Sequence, residues 1–423
     1  MPSLDPQIVR SWITVPAPQF VGGNEVDLLE GGDALFPRMR EAIEAAREEV
    51  WLATYIFHDD ASAVALMDAL ADAARRGVAV HVVVDGFGSK STLAQLRQRL
   101  LPAGVGLEVF RPLERWYAWL QPGQLRRLHH KLCVCDGAVA FVGGINLIDD
   151  RLDTRHGWSA LPRLDYAVQC RGPLALAVYA TARATWARAH LWHGWREGVR
   201  QVVHAARPVD ETVALLRGLR GGTRLPGGRD LRPMRAAFVV RDNLRQRRAI
   251  ERSYVEAIRG ARHAVDIAVP YFYPGRVFRR VLRHAAHRGV RVRLLLQGKL
   301  DYRIAGLAAR ALYEEMRGHG VHIYEYTPAF LHAKVAVVDE SWATVGSSNI
   351  DPLSLLLNLE ANVVVRDAQF ARTLRARFEA ALAVSAEVDG KPMRSGWRGW
   401  LLRATVAWMA NVYLRVAGIT GRY

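Results

Sequence analysis

Short apolar runs alternate along this chain with longer stretches of helical periodicity. Val50–Phe57 (VWLATYIF) and Val78–Val84 are almost uninterrupted by polar residues, which is the pattern of strands covered on both faces. Ala61–Arg76, between them, repeats its apolar positions at helical spacing and stops at Gly77. Asn24–Gly32 reads as a strand and turn, and Phe36–Glu49 and Leu93–Leu101 as helices. Strand, helix and strand in this order predict a parallel or mixed sheet with helices packed on it.

The same plan recurs in the second half. Tyr254–Arg262 is helical, Ala264–Phe272 (AVDIAVPYF) is the counterpart of Val50–Phe57, Val277–Arg288 is helical, and Val290–Leu296 is a strand. Arg76-Gly77-Val78 and Arg288-Gly289-Val290 mark the same turn in the two halves. One long repeat, with loops of unequal length, indicates a duplicated α/β domain rather than a short-period solenoid.

The strongest chemical signal lies in Leu331–Glu360, where His332, Lys334 and Asp339 follow the spacing H-x-K-x-x-x-x-D and precede Gly346, Ser347 and Asn349. The valines from Val335 to Val338 predict a buried strand, on which His332 and Lys334 would project side by side. An imidazole beside an ammonium suits attack on a phosphate diester: one supplies a nucleophile, the other holds the anionic oxygens. The first half carries the same spacing in His129, Lys131 and Asp136, followed by Gly143, Gly144 and Asn146. Of 58 basic residues only five are lysines, and two of the five occupy the equivalent motif positions.

These paired blocks resemble the duplicated motif of the phospholipase D superfamily. The stretches YEYTPAFLHAK, GSSNIDPLSLLLNLE and RDNLRQRRAIERSYVEAI are similar to bacterial cardiolipin synthases of the B type, and the likeness runs from about Gly23 to Val384. It implies two phospholipase D-like domains, each a mixed β-sheet flanked by helices, packed about a pseudo-twofold axis with one histidine from each half in a single cleft. The family's catalytic set then falls on His129, Lys131, Asp136, His332, Lys334 and Asp339, the two aspartates organising the turns after the motif strands. His129 becomes the nucleophile and His332 the general acid and base, although the near symmetry of the blocks leaves the reverse assignment open.

Asn146, Asn349 and Ser347 would bind the phosphate. The family places a histidine-orienting carboxylate at Glu360, 28 residues after His332, and the best match in the first half is Asp165, 36 residues after His129. Gly144 departs from the pattern, since many relatives carry serine there. The implied chemistry needs no metal and no other cofactor. The implied reaction moves a phosphatidyl group from phosphatidylglycerol, or another glycerophospholipid, to an alcohol; a second phosphatidylglycerol as acceptor gives cardiolipin. Water as acceptor gives a hydrolase, and a nucleic-acid phosphodiesterase is the alternative of a different class.

At 423 residues the chain exceeds one ordinary core, in keeping with two domains. The expected division is residues 1–204, a Gly/Pro/Arg-rich linker at 205–232, residues 233–390, and a C-terminal segment at 391–423. A net charge of +17 points to a polyanionic partner. Without an aromatic and basic nucleic-acid module, an anionic membrane surface is favoured over DNA or RNA. In the last segment Trp397, Trp400, Arg403 and Trp408 fit a helix lying in the headgroup region. Arg111–Leu120 offers a weaker second aromatic contact. No apolar run reaches the roughly 20 residues of a spanning helix, and the N-terminus shows no secretory signal pattern. A peripheral protein on the cytoplasmic side of a bacterial inner membrane is the expectation. Cys133, Cys135 and Cys170 read as buried thiols.

Overall fold

The computed structural model describes residues 19–112, 126–154, 156–201, 234–242, 246–299, 312–351, 354 and 358–388. The linker at 205–232, the C-terminal segment with Trp397, Trp400, Arg403 and Trp408, and most of Arg111–Leu120 lie outside the described residues.

The first half runs β1 (Val21–Glu30), α1 (Gly31–Ala45), β2 (Glu49–Thr54), α2 (Ala61–Arg75), β3 (Ala79–Asp85), α3 (Leu93–Leu100) and β4 (Gly106–Phe110). It continues through β5 (Lys131–Cys135), β6 (Val139–Gly143), the small strands β7 (Leu152–Asp153) and β8 (Gly157–Trp158), β9 (Tyr166–Arg171) and the long α4 (Pro173–Gln201). The second half runs β10 (Met234–Arg241), α5 (Ala249–Gly260), β11 (Ala264–Ala268), α6 (Arg276–His287), β12 (Arg291–Gln297) and β13 (Val321–Tyr326). Then come β14 (Val335–Val338), β15 (Trp342–Gly346), β16 (Glu360–Arg366), α7 (Ala368–Ala383) and β17 (Ala386–Glu387).

All strands except the β7–β8 hairpin join one sheet in the order β17-β13-β12-β11-β14-β15-β16-β10-β1-β9-β6-β5-β2-β3-β4. Read outward from the antiparallel β1–β10 contact, the two sides have the same order, so a pseudo-twofold axis passes between these strands. β2, β3 and β4 are mutually parallel, as are β11, β12 and β13, as the βαβ reading requires. One face of the sheet carries an apolar core shared by both halves, closed by α4 and α7. The other face is covered by α1, α2 and α3 over the first half and by α5 and α6 over the second. Burial on both faces explains the unbroken valine runs: Val80, Val82 and Val84 point to one core and Val83 to the other.

Several boundaries differ from the sequence reading. α1 begins at Gly31 rather than Phe36, because Asp150 accepts the Gly32 amide (2.5 Å) and holds the helix start. Gly31 itself has φ +71°, and a Cβ there would meet the Asp150 carboxylate. β11 ends at Ala268, four residues early, since Pro270 has no amide to offer the ladder; Phe272 instead bridges to Ile350. β2 ends early in the equivalent way, with Phe57 bridging to Leu147.

Asp136 and Asp339 lie just beyond the far ends of β5 and β14 with φ of 51° and 49°. Asp136 accepts the amides of Arg47, Glu48 and Glu49, each at 2.9 Å. Asp339 does the same for Arg262, His263 and Ala264. The geometry removes them from the group that could touch a reacting phosphorus: each clamps the start of a neighbouring strand. These backbone bonds, more than reversing the effect of burial, hold the Asp339 carboxyl below the usual range. Asp339→Ala should lose roughly 2–4 kcal/mol of stability, from three unpaired amides and a left-handed backbone disfavoured for alanine. Denaturant unfolding checks this, and a loss below about 0.5 kcal/mol would reject the clamp.

Candidate active site

Neither motif histidine sits in a regular strand. β5 begins at Lys131 and β14 at Val335, so His129 and His332 lie on the short lead-in segments. What fixes them is the opposite half of the molecule. Leu128 forms a parallel bridge with Leu359, and Leu331 one with Leu164. The His129 and His130 amides both donate to Leu359 O (3.0 and 2.8 Å), while Leu359 N donates to Arg127 O (2.8 Å). Symmetrically, His332 N donates to Leu164 O (2.8 Å) and Leu164 N to Phe330 O (2.9 Å).

One residue past each bridge, a histidine therefore meets a carboxylate from the other half. His129 Nδ1 lies 3.0 Å from Glu360 Oε2, and His332 Nδ1 lies 2.6 Å from Asp165 Oδ2. Sequence spacing counts each carboxylate from the histidine of its own half; the structure crosses the pairs. A carboxylate at Nδ1 accepts the hydrogen bond of Nδ1–H and leaves the lone pair on Nε2.

The lysines complete the cluster. Lys131 Nζ donates to His129 O (2.7 Å), Lys334 Nζ donates to His332 O, and Lys334 Nζ also lies 2.8 Å from His332 Nδ1. Both lysines are buried, as are Asp165 and Glu360. Burial pulls Lys131 down to about 8 and Lys334 to about 7, against the attraction of Asp165 and Glu360. Burial, with Lys334 added, holds His332 down at about 3. His129 is lowered too, chiefly by burial, with Glu360 opposing. Burial alone would raise the two carboxylates, but the lysine and imidazole partners hold both below the usual range. With both imidazoles neutral, two ammonium and two carboxylate groups cancel.

That balance gives the free site a pH dependence toward anions. Above about 7 Lys334, and above about 8 Lys131, release protons that a bound anion would retain, so affinity falls as pH rises. Sulfate, which does not titrate here, should bind at least about tenfold more weakly at pH 9 than at pH 7. Calorimetry checks it, and a flat profile would count against lysines as the anion-holding groups.

Asn146 and Asn349 are buried beside the cluster, and the Oδ1 of each has no hydrogen-bond partner among the described residues. Ser347 requires a correction. Its hydroxyl donates to Glu360 Oε2 (2.5 Å) and accepts the Ala361 amide (3.1 Å), so it supports the carboxylate instead of facing a phosphate. Gly144, its counterpart, lies against Asp165, where a Cβ would collide with the carboxylate. The missing hydroxyl thus changes how a carboxylate is held, not how phosphate is held.

Two positioning residues escaped the sequence reading. Asp85, at the end of β3, accepts the Leu128 amide (2.9 Å), and Gln297, at the end of β12, accepts the Leu331 amide (3.0 Å). The signal was present: Asp85-Gly86 and Gln297-Gly298 are a polar residue and glycine closing equivalent strands. Asp85 is fully buried, which raises its carboxyl to about 6 despite Arg127. Tyr55 packs against the His129 ring at 5.1 Å between centroids. No group of three or more metal-ligating side chains occurs among the described residues, and none of their helices is long and apolar enough to cross a membrane.

Comparison with known proteins agrees with this geometry. Residues 39–157 and 254–382 match the family described as "Cardiolipin synthase, PLD-like domain", one segment for each half. Cardiolipin synthase B of Escherichia coli K12 is 36% identical over 388 residues, covering 89% of this chain and 85% of that one. Cardiolipin synthase A of Pseudomonas fluorescens SBW25 is 34% identical over 376 residues, covering 88% and 72%. Among solved structures, phosphatidylserine synthase of Haemophilus influenzae Rd KW20 superposes with a TM-score of 0.61 at 13% identity, covering 97% of this chain and 98% of that one. Polyphosphate kinase of Porphyromonas gingivalis superposes with a TM-score of 0.53 at 14% identity, covering 92% and 53%. Two copies of the domain, both motifs and similarity along most of the chain lead to one conclusion: the protein belongs to the phospholipase D-like family of cardiolipin synthases.

Proposed function

We propose that the protein transfers a phosphatidyl group from phosphatidylglycerol to an alcohol, with a second phosphatidylglycerol as the acceptor that yields cardiolipin. The observation that carries this reading is the pair of imidazoles, each held at Nδ1 by a buried carboxylate and flanked by a buried lysine. With both lysines charged the cluster is electrically balanced, so a bound phosphodiester monoanion favours uptake of one proton. An imidazolium at His332 restores the balance and is the acid the reaction needs.

His129 Nε2 attacks phosphorus, the bond to the glycerol oxygen breaks, and the His332 proton passes to that oxygen. A phosphohistidine linkage to the phosphatidyl group results. The acceptor hydroxyl then gives its proton to His332, its oxygen attacks phosphorus, and the nitrogen–phosphorus bond breaks. Lys131 and Lys334 neutralise the non-bridging oxygens, assisted by the amide groups of Asn146 and Asn349. Two histidines suffice for both half-reactions because the acid of the first is the base of the second.

The protein works peripherally on the cytoplasmic face of a bacterial inner membrane. Its positive charge favours anionic lipid, and Trp397, Trp400, Arg403 and Trp408 supply an interfacial anchor. The deciding experiment incubates the protein with phosphatidylglycerol vesicles and identifies products by mass spectrometry. Cardiolipin and glycerol in equal amounts are expected. Phosphatidic acid as main product would make it a hydrolase, and cleavage of a nucleic acid with inert lipid would replace the lipid reading altogether.

A further inference from the structure

The two halves differ beside the histidine–carboxylate cluster. In the second half Asn349 leads to Glu360 by a short path, whereas the longer segment from Asn146 to Asp165 folds into the β7–β8 hairpin. Its described residues are tied to the surrounding chain. The Ser159 amide donates to Arg151 O (2.7 Å), the Arg163 guanidinium donates to Leu152 O (2.8 Å), and the His156 ring lies 5.5 Å from Phe330 of the second half.

With Phe330, Gln297 and Tyr271 the hairpin walls an open cleft that includes His332. Asn146, Asp153, Thr154 and Arg163 also line it. Asn146 is about 5% exposed, and its Oδ1 has no partner among the described residues. That is an acceptor in want of a donor, at a place where burial makes an unmet bond costly.

In the proposed mechanism His332 handles the proton of every alcohol that leaves or enters. The reacting oxygen must sit at its Nε2, and the rest of that alcohol must occupy the adjoining space. The adjoining space is this cleft, whose lining offers an amide oxygen, a hydroxyl, a carboxylate and a guanidinium. These polar groups match the free hydroxyls of a neutral polyol, while Ile56, Ile148, Pro270 and Leu331 offer apolar surface to its carbon skeleton.

We infer that the hairpin-walled cleft is the alcohol-selecting subsite: it takes a glycerol-type polyol, with Asn146, Thr154 and Asp153, whose Oδ1 also accepts the His156 amide (2.9 Å), reading the hydroxyls that are not transferred. The inference rests on the transferase reading above. Sites that hydrogen-bond a substrate hydroxyl reject analogues lacking it far better than apolar pockets reject an extra group.

The test is a competition. Phosphatidylglycerol vesicles are incubated with the full chain and equal concentrations of isotope-labelled glycerol and 1-propanol, and the labelled phosphatidylglycerol and phosphatidylpropanol are counted. The native protein should favour glycerol, and Thr154→Val and Asp153→Asn should each lower the product ratio at least tenfold. Thr154 is exposed, so its near-isosteric variant should fold. An unchanged ratio, whether total transfer is preserved or falls, would overturn the inference while leaving the transferase reading intact. A native protein that converts no lipid would overturn that reading, and this inference with it.

Discussion

His129→Ala and His332→Ala are each expected to reduce turnover of phosphatidylglycerol by at least about four orders of magnitude, the scale of losing a covalent nucleophile or its proton partner. Neither change should unfold the protein, because each backbone is held by bridges that do not use the side chain. The double variant should be little worse than either single one, since the two groups act as a unit. The variants also separate the roles. A phosphatidyl ester of p-nitrophenol has a leaving group that needs no proton. His332→Ala should therefore still release one equivalent of nitrophenol and keep an acid-labile adduct on His129, whereas His129→Ala should not. A burst in His129→Ala alone would reverse the assignment, and activity surviving in both variants would end the two-histidine mechanism.

The crossed carboxylates set the second large effect. Glu360→Gln and Asp165→Asn should each lower turnover by roughly 10³–10⁴, the size expected when an amide replaces the carboxylate that fixes an imidazole tautomer. The more telling readout is which histidine responds. Glu360 touches His129, so Glu360→Gln should move the ring-nitrogen resonances of His129 and leave those of His332 nearly in place. Asp165→Asn should do the reverse. Selective ¹⁵N labelling resolves the two rings. A Glu360 substitution that perturbs His332 instead would mean that each half supports its own histidine. The losses also need not match. Glu360 keeps Ser347 as a partner, while Asp165 faces Gly144 and leans on the Tyr166 amide.

Crossing has a consequence for stability as well as chemistry. A half-molecule folded by itself would hold a histidine without its carboxylate and a buried carboxylate without its imidazole. Both are unfavourable, since burial penalises an unpaired charge. The shared core on the α4 and α7 face makes the same demand in apolar terms. The two halves are therefore one cooperative unit around the site, although each repeats the same order of strands.

The chain itself determined a good deal. Valine-rich runs such as those of β3 and β14 specify strands covered on both faces, because only a sheet with a layer on each side buries them. The Arg-Gly-Val turns and the repeated H-x-K-x-x-x-x-D spacing made the duplication and the paired histidines and lysines legible, since these signals are local and recur. Boundaries such as the start of α1 were not legible, because the Gly32 amide is capped by Asp150 from a distant loop. Only the tertiary structure decided which carboxylate serves which histidine, what Ser347 does, and where the hairpin places its polar wall. The physical reason is the same in each case. These are contacts between segments far apart in sequence, fixed by two parallel bridges across a pseudo-twofold axis, and no spacing along one chain encodes a partner on the other side of it.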